Sequence, residues 1–135
     1  MAFAQEASET VAFDSGAIIA LSRDDARAYA ILTALRKSEA DIIVPAPVLA
    51  EVLRGTPRDA AVHRILKSFD ADKPTSADAA RTAGIFLGRS SSNAERTVDA
   101  LIIATAVEHG ATSIVTRDGK DFRALAPPQL TVLGL

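Results

Sequence analysis

"TVDALIIATAVEHGATSIVTRD", residues Thr97 to Asp118, decides the fold class. From Ala100 to Val107 it is apolar nearly all round, which suits a helix buried on every side rather than one with a wet face. Gly110 ends it, and His109 lies in the last turn, where the helix dipole favours a basic ring. "TSIVT", Thr112 to Thr116, is a short β-branched run of the kind that forms a buried strand. A buried helix feeding directly into a buried strand is the repeating step of a parallel sheet covered by helices. An acid stands near each end of this unit, Asp99 in the first helical turn and Asp118 just past the strand.

Working outward, the same alternation recurs. "VAFD" (Val11–Asp14) is a short β-rich run followed by "SGAIIALS" with helical character. "RDDARAYAILTALRKS" places Ala28, Ile31, Leu32 and Leu35 at spacings of three and four, an amphipathic helix with a basic end. "DIIVP" is a buried-type strand closed by Pro45. "APVLAEVLRG" reads as a helix terminated by Gly55, and Pro57 opens the next, "PRDAAVHRILKSF". "TSADAARTAGIFLGRS" is a further helix, weakened by Gly84, and "SSSNAE" is the most loop-like internal stretch. Thr97 is the expected cap of the buried helix, "RDGKDF" reads as a turn, and "LTVLGL" as a closing strand. The reading is an α/β layered fold with a mostly parallel sheet flanked by helices. Residues 1–10 are expected to be a short leader and residues 11–135 a single domain, with no internal repeat or dividing linker.

Composition narrows the function classes. Apolar residues make up 48% and charged residues 24%, an ordinary globular balance. The net charge of −2 gives no bulk basic field, although a cluster of acids holding cations would hide local positive charge in that count. The absence of cysteine excludes disulfides, thiolate zinc sites and cysteine nucleophiles. The opening "MAFAQEASET" lacks the features of a signal peptide, and no apolar run approaches a membrane span, so a soluble cytoplasmic protein is expected.

In a parallel sheet, loops leaving the carboxyl ends of the strands share one edge, where ligands bind. Four acids are candidates for that edge: Asp14, Glu51, Asp99 and Asp118. Each has an ordinary alternative. Asp14 could cap the following helix, Asp99 could complement a helix dipole, Asp118 before Gly119 suits a turn, and Glu51 could face solvent beside Arg54 or Arg58. The sharper clue is that Asp99 and Glu51 interrupt the most apolar helices, where a polar exception needs a partner. Clustered carboxylates cannot all ionise without counter-charge. A divalent cation supplies it, and oxygen-only ligation suits Mg²⁺ or Mn²⁺.

Taken in order, "FDSGAIIAL", "PAPVLAEVLRG", "TVDALIIATAVEHGA" and "TSIVTRDGKDF" resemble the PIN-domain ribonucleases, particularly VapC-type toxins of toxin–antitoxin pairs. The resemblance runs from about residue 11 to the C-terminus, and "VDALIIATA" with "TRDGKDF" is its most specific part. It implies a PIN-like (Rossmann-like) three-layer fold, an acidic Mg²⁺ or Mn²⁺ site that cleaves RNA, a homodimer, and a VapB-like antitoxin that blocks the site. By position it assigns the catalytic and metal-binding acids to Asp14, Glu51, Asp99 and Asp118. It leaves Asp121 as an alternative ligand or a residue that orients one, and Ser15 and Thr116 as supporting hydroxyls. A bound cation of this kind makes water nucleophilic near neutral pH and neutralises charge on phosphate oxygens, so neither His nor Cys is required. That chemistry permits DNA as well as RNA, and only the resemblance favours RNA.

The two histidines, His63 and His109, are read as structural. Arg89, Arg96 and Arg117 are the candidates for contacting an RNA backbone near the acidic edge. Arg54, Arg58, Arg64 and Lys67 form a second basic series whose ordinary reading is a solvated face. "GRSSSNAE" could form a substrate lip. Scarce aromatics make extensive base stacking a poor expectation and favour recognition by shape or a few flipped bases. Phosphotransferases of the haloacid-dehalogenase type would want a second acid where Gly16 stands, and no phosphate-cradling Gly-rich turn or P-loop lysine follows the first strand. The remaining rival is a non-catalytic interaction or RNA-binding module of the same fold, in which substituting one acid would abolish partner binding but no cleavage.

Overall fold

Val11, Ala12 and Phe13 have no solvent exposure, which places the first strand in the middle of a sheet rather than at its edge. The computed structural model describes residues 9–69 and 71–135. Its strands are β1 (Thr10–Phe13), β2 (Asp41–Pro45), β3 (Ala71–Lys73), β4 (Ser113–Thr116) and β5 (Thr131–Gly134). They lie in the order β3-β2-β1-β4-β5, and each neighbouring pair is parallel. The register sets Val11 against Ile42 on one side and Ser113 on the other.

The described helices are α1 (Ser15–Ser22), α2 (Ala26–Lys37), α3 (Ala46–Val52), α4 (Ala60–Lys67), α5 (Ala77–Ser90), α6 (Thr97–Glu108) and α7 (Gly119–Leu125). Right-handed crossovers put the connections that run towards β3 on one face and those that run towards β5 on the other. Accordingly α1 packs on α2 and α4, while α6 packs on α5 and α7. The short helix α3 touches both α1 and α6 at the carboxyl edge of the sheet, joining the two layers there. Ile102, Ile103, Ala104 and Ala106 of α6 are all buried, as its sequence requires. The hydroxyl of Thr105, the polar exception within α6, donates to Leu101 O at 2.7 Å and pairs with Thr75.

From β1 the chain turns to one side to build β2 and β3, then crosses back to build β4 and β5. The carboxyl ends of β1 and β4 are therefore adjacent while their outgoing connections diverge, which creates a crevice at the switch in strand order. Asp14 leaves β1 at that point, its N–H still donating to Val115 O of β4 at 3.0 Å.

The structure departs from the sequence reading in five local places. Sheet contacts begin at Glu9, whose carbonyl accepts from Asp41 N, so pairing starts ahead of Val11; the rest of the expected leader, residues 1–8, lies outside the described residues. The strand β3 went unrecognised because "ADK" has no apolar alternation, and parallel pairing with Ile43, Val44 and Pro45 recruits it as a short charged edge. "RDGKDF" is not a simple turn, since Gly119 to Leu125 is helical and buries Phe122 and Leu125 at a spacing of three. Thr97 does not cap α6, because a 3₁₀ turn over Ala94–Arg96 leads into the helix. Finally α3 ends at Val52, not at Gly55. The buried Asp59 carboxylate captures the N–H groups of Arg54 and Gly55, which pulls the chain out of the helix.

Candidate metal centre

Asp14 occupies the N-cap position of α1 with extended backbone angles, yet its side chain makes no capping bond. It turns into the crevice instead, 4% exposed, and its Oδ2 accepts from the Thr116 hydroxyl at 2.8 Å. The same Thr116 oxygen accepts from Asp118 N at 3.0 Å, so one hydroxyl fixes the ends of both β1 and β4. Oδ1 of Asp14 is buried and has no hydrogen-bond partner among the described residues. Burial raises the Asp14 pKa to about 6; Thr116 and the Ser15 amide pull against that rise, and the nearby charges of Glu51 and Asp99 add to it.

Glu51 on α3 is half-buried and accepts from the Ser15 hydroxyl, which ties the starts of α1 and α3 together. It makes no ion pair with Arg54 or Arg58 of the kind a solvated glutamate would make. Asp99, in the first turn of α6, is also half-buried. Its pKa is raised by burial first and by the charge of Glu51 next, with Asp118 adding to the rise and Arg96 opposing it. Asp14, Glu51 and Asp99 are therefore within electrostatic reach of one another, and Asp118 is within reach of Asp99, from four separate segments of the chain.

Arg96 stands over this edge. Its Nη1 lies 2.6 Å from Asp121 Oδ2 and 3.5 Å from Asp99 Oδ2, forming a clamp across α6 and α7. The hydrogen bond to Asp121, held against partial burial, raises the Arg96 pKa above its ordinary value. Arg96 is thus engaged with acids rather than directed at a ligand. Arg117 is exposed, 3.8 Å from Asp25, with its aliphatic stem over Gly16; a Cβ at that glycine would sit 3.0 Å from Arg117 Cβ. Arg89 is exposed near the end of α5. His63 is exposed, and His109 caps the end of α6 with its Nε2 2.9 Å from Pro74 O.

Among the described residues, no three acidic or imidazole side chains are drawn into a closed ligand set. Like charges keep apart, and the donors of Ser15, Thr116 and Arg96 hold three of the acids singly. The residues nonetheless fit a hard divalent cation. The donor set is all oxygen, and Asp14 Oδ1 is a buried acceptor that nothing in the described chain satisfies, a situation costing about 1–3 kcal/mol.

A sequence model described as the PIN domain matches residues 11–127 of this chain. The chain belongs to the PIN-domain family. Among solved structures, this PIN domain is similar to VapBC2 from Rickettsia felis bound to a DNA fragment from its promoter, at 19% identity and a TM-score of 0.74, covering 93% of this chain and 98% of that one. It is also similar to FitAcB from Neisseria gonorrhoeae, at 22% identity and a TM-score of 0.69 over 91% of this chain and 96% of that one. A toxin–antitoxin complex from Klebsiella pneumoniae gives 24% identity and a TM-score of 0.68 over 89% and 94%. At these identities the likeness is one of fold. No curated protein matches the chain.

Two features of this PIN domain escaped the sequence reading. The Arg96 clamp was partly legible, because "RTVD" sets Arg96 and Asp99 three apart, a spacing that brings helical side chains together. Its stronger arm, to Asp121, joins two helices and leaves no local trace. Asp59 was hidden as one more acid at a helix start. Burial pushes its pKa up, but the backbone N–H groups of Gly55, Arg54 and Thr56 outweigh burial and hold the carboxyl below its ordinary value.

The double role of Thr116 makes a direct prediction. Thr116→Val keeps the shape but removes the donor to Asp14 and the acceptor for Asp118 N, so unfolding in urea is expected to show a loss of about 1–3 kcal/mol. Mn²⁺ affinity, measured by calorimetry, is expected to fall about 10–100-fold, as for other partners that orient metal ligands.

Proposed function

We propose that this PIN domain is a metal-dependent endoribonuclease that hydrolyses RNA phosphodiester bonds, the VapC-like toxin of a pair held inactive by a VapB-like antitoxin. The observation that carries the reading is Asp14, a buried carboxylate with an unpartnered oxygen among the described residues at the switch in strand order, with the charges of Glu51 and Asp99 nearby and Asp118 beside Asp99. In this reading Asp14 and Asp99 are the principal ligands of Mg²⁺ or Mn²⁺, Glu51 and Asp118 complete the acidic site, and Asp121 is the alternative to Asp118. The cation, when bound, activates water and neutralises charge on the phosphate. Thr116 and Ser15 fix the carboxylates that receive it. Arg96, once drawn off the acids, is placed to meet a phosphate oxygen, and Arg89 and Arg117 flank the same edge.

The toxin role and the antitoxin are supported by a toxin–antitoxin complex among the structures of the same fold, and a homodimer belongs to the same proposal. A cytoplasmic location accords with a described chain in which no helix is long and apolar enough to cross a membrane. One observation favours a second reading. Because Arg96 already neutralises Asp99 and Asp121, the fold could serve as a non-catalytic module whose acids bind a partner's arginine or structural metal.

Cleavage of total cellular RNA in Mn²⁺, with EDTA and folded Asp99→Asn protein as controls, separates the two. Discrete products with 5′-phosphate ends, absent from both controls, are the expected result. Products that persist in EDTA would overturn the metal-dependent reading, and RNA left intact by all samples would favour the module.

A further inference from the structure

Glu51 also lines an open cavity of about 380 Å³ between α1, α3 and α4. Its volume falls within the range of small-ligand sites, roughly 300–1,000 Å³. Ile19, Val52 and Val62 give it an apolar floor, and Arg23, Arg54 and Arg58 form its rim. Two acids also line it, but both are committed. Glu51 accepts from Ser15, and Asp59 is buried in the wall, taking the N–H groups of Arg54 and Gly55 at 2.8–3.1 Å. The Arg54 guanidinium donates to Ala50 O and Leu53 O at the end of α3. Arg23 and Arg58 are exposed, and no carboxylate pairs with either among the described residues.

The cavity therefore presents positive charge above an aliphatic floor, with one wall, Glu51, shared with the acidic site. We infer that it is a nucleotide subsite, in which Arg23 and Arg58 hold a phosphate of a single-stranded RNA next to the bond to be cut while the attached nucleoside rests on Ile19, Val52 and Val62. This rests on the nuclease reading and extends it to where the strand lies. Charge complementarity selects an anionic occupant, and the apolar floor selects one with a flat apolar part. The lining has no aromatic ring to stack on, so discrimination among bases falls to the Thr56 hydroxyl, because that of Ser22 already donates to Ile19 O at 2.6 Å.

The test measures binding of a fluorescent 20-nucleotide mixed-sequence single-stranded RNA by anisotropy in EDTA, which keeps the strand whole. Arg23→Ala/Arg58→Ala is expected to weaken binding about tenfold and to reduce the slope of log K against log salt by about 0.7, the loss of one neutralised phosphate. Arg58→Glu alone should weaken it further, and thermal melts confirm that both variants fold. The charge-matched control Lys37→Ala/Arg81→Ala, away from the cavity, should leave affinity within about twofold. Unchanged affinity and slope in the cavity variants, with wild-type protein binding and cutting RNA, would overturn the subsite and assign the groove to a protein partner. A wild-type protein that neither binds nor cuts RNA would fail at the earlier step, and the subsite would fall with it.

Discussion

Asp14→Asn is expected to abolish cleavage, by at least about a hundredfold, and to flatten the dependence of metal-free stability on pH. Outer-shell partners of metal ligands already cost about 10–100-fold, and a ligand itself should cost no less. The stability effect follows from linkage. The Asp14 pKa is raised from 3.8 to about 6 on folding. Its favourable contribution is complete below pH 3.8 and is lost as pH rises through about 6. At 1.36 kcal/mol per pKa unit, the shift corresponds to about 3 kcal/mol withdrawn across that window in the wild-type protein. Asparagine carries no charge to desolvate, so urea unfolding in EDTA at pH 4 and pH 7 should differ less for the variant by about that amount. Its own N–H, left unmatched where Oδ1 stood, offsets part of the gain at pH 7. Adding Mn²⁺ should raise the melting temperature of the wild-type protein, more at pH 7 than at pH 5, and leave the variant unmoved. Parallel pH profiles for the two proteins would remove Asp14 from the role given to it here.

Arg96→Gln should move two quantities in opposite directions. The guanidinium neutralises Asp121 and Asp99 in the metal-free protein, so any cation entering the acidic edge competes with it. Without it, Asp99 faces Glu51 and Asp118 with no counter-charge, and a divalent ion gains what the arginine supplied. Mn²⁺ affinity by calorimetry is expected to rise up to about tenfold, and metal-free stability to fall only slightly, as for a solvent-screened ion pair. Cleavage should fall about 10–100-fold despite the tighter metal, because no other cationic side chain lies on Asp99 among the described residues to meet the phosphate. Arg96→Lys keeps the charge but not the planar guanidinium, whose further N–H donors could meet a phosphate, and should restore metal affinity to the wild-type value while recovering only part of the cleavage. Metal affinity and cleavage both unchanged would make the clamp an ordinary surface pair.

The two predictions differ in how far the sequence alone reaches. Asp14 could be placed at the end of a buried strand from "VAFD" and its neighbours, because strand period, β-branching and apolar runs are local properties that survive tertiary packing. The same holds for α6, whose unbroken apolar surface required burial on all sides, and for the placement of Asp118 after β4. Those features determined a parallel α/β sheet and an acid at the ends of its two central strands.

What the Asp14 side chain does was decided elsewhere. As an N-cap it would have bonded to α1, three residues away in sequence; it turned instead to Thr116, a partner 102 residues distant. Glu51 met Ser15 across 36 residues rather than an arginine on its own helix. The end of α3 was set by Asp59 taking two backbone donors, and β3 by the free edge of β2. In each case a buried polar group had to find a partner, and the partner lay on another segment. Hydrophobic periodicity is written along the chain, so the sequence by itself fixed the layers and the edge at which the acids meet. Hydrogen bonding and charge neutralisation depend on which segments are brought together, so only the tertiary structure decided that Ser15 holds Glu51, Thr116 holds one oxygen of Asp14 and Arg96 holds Asp99 and Asp121, leaving Asp14 Oδ1 without a partner among the described residues.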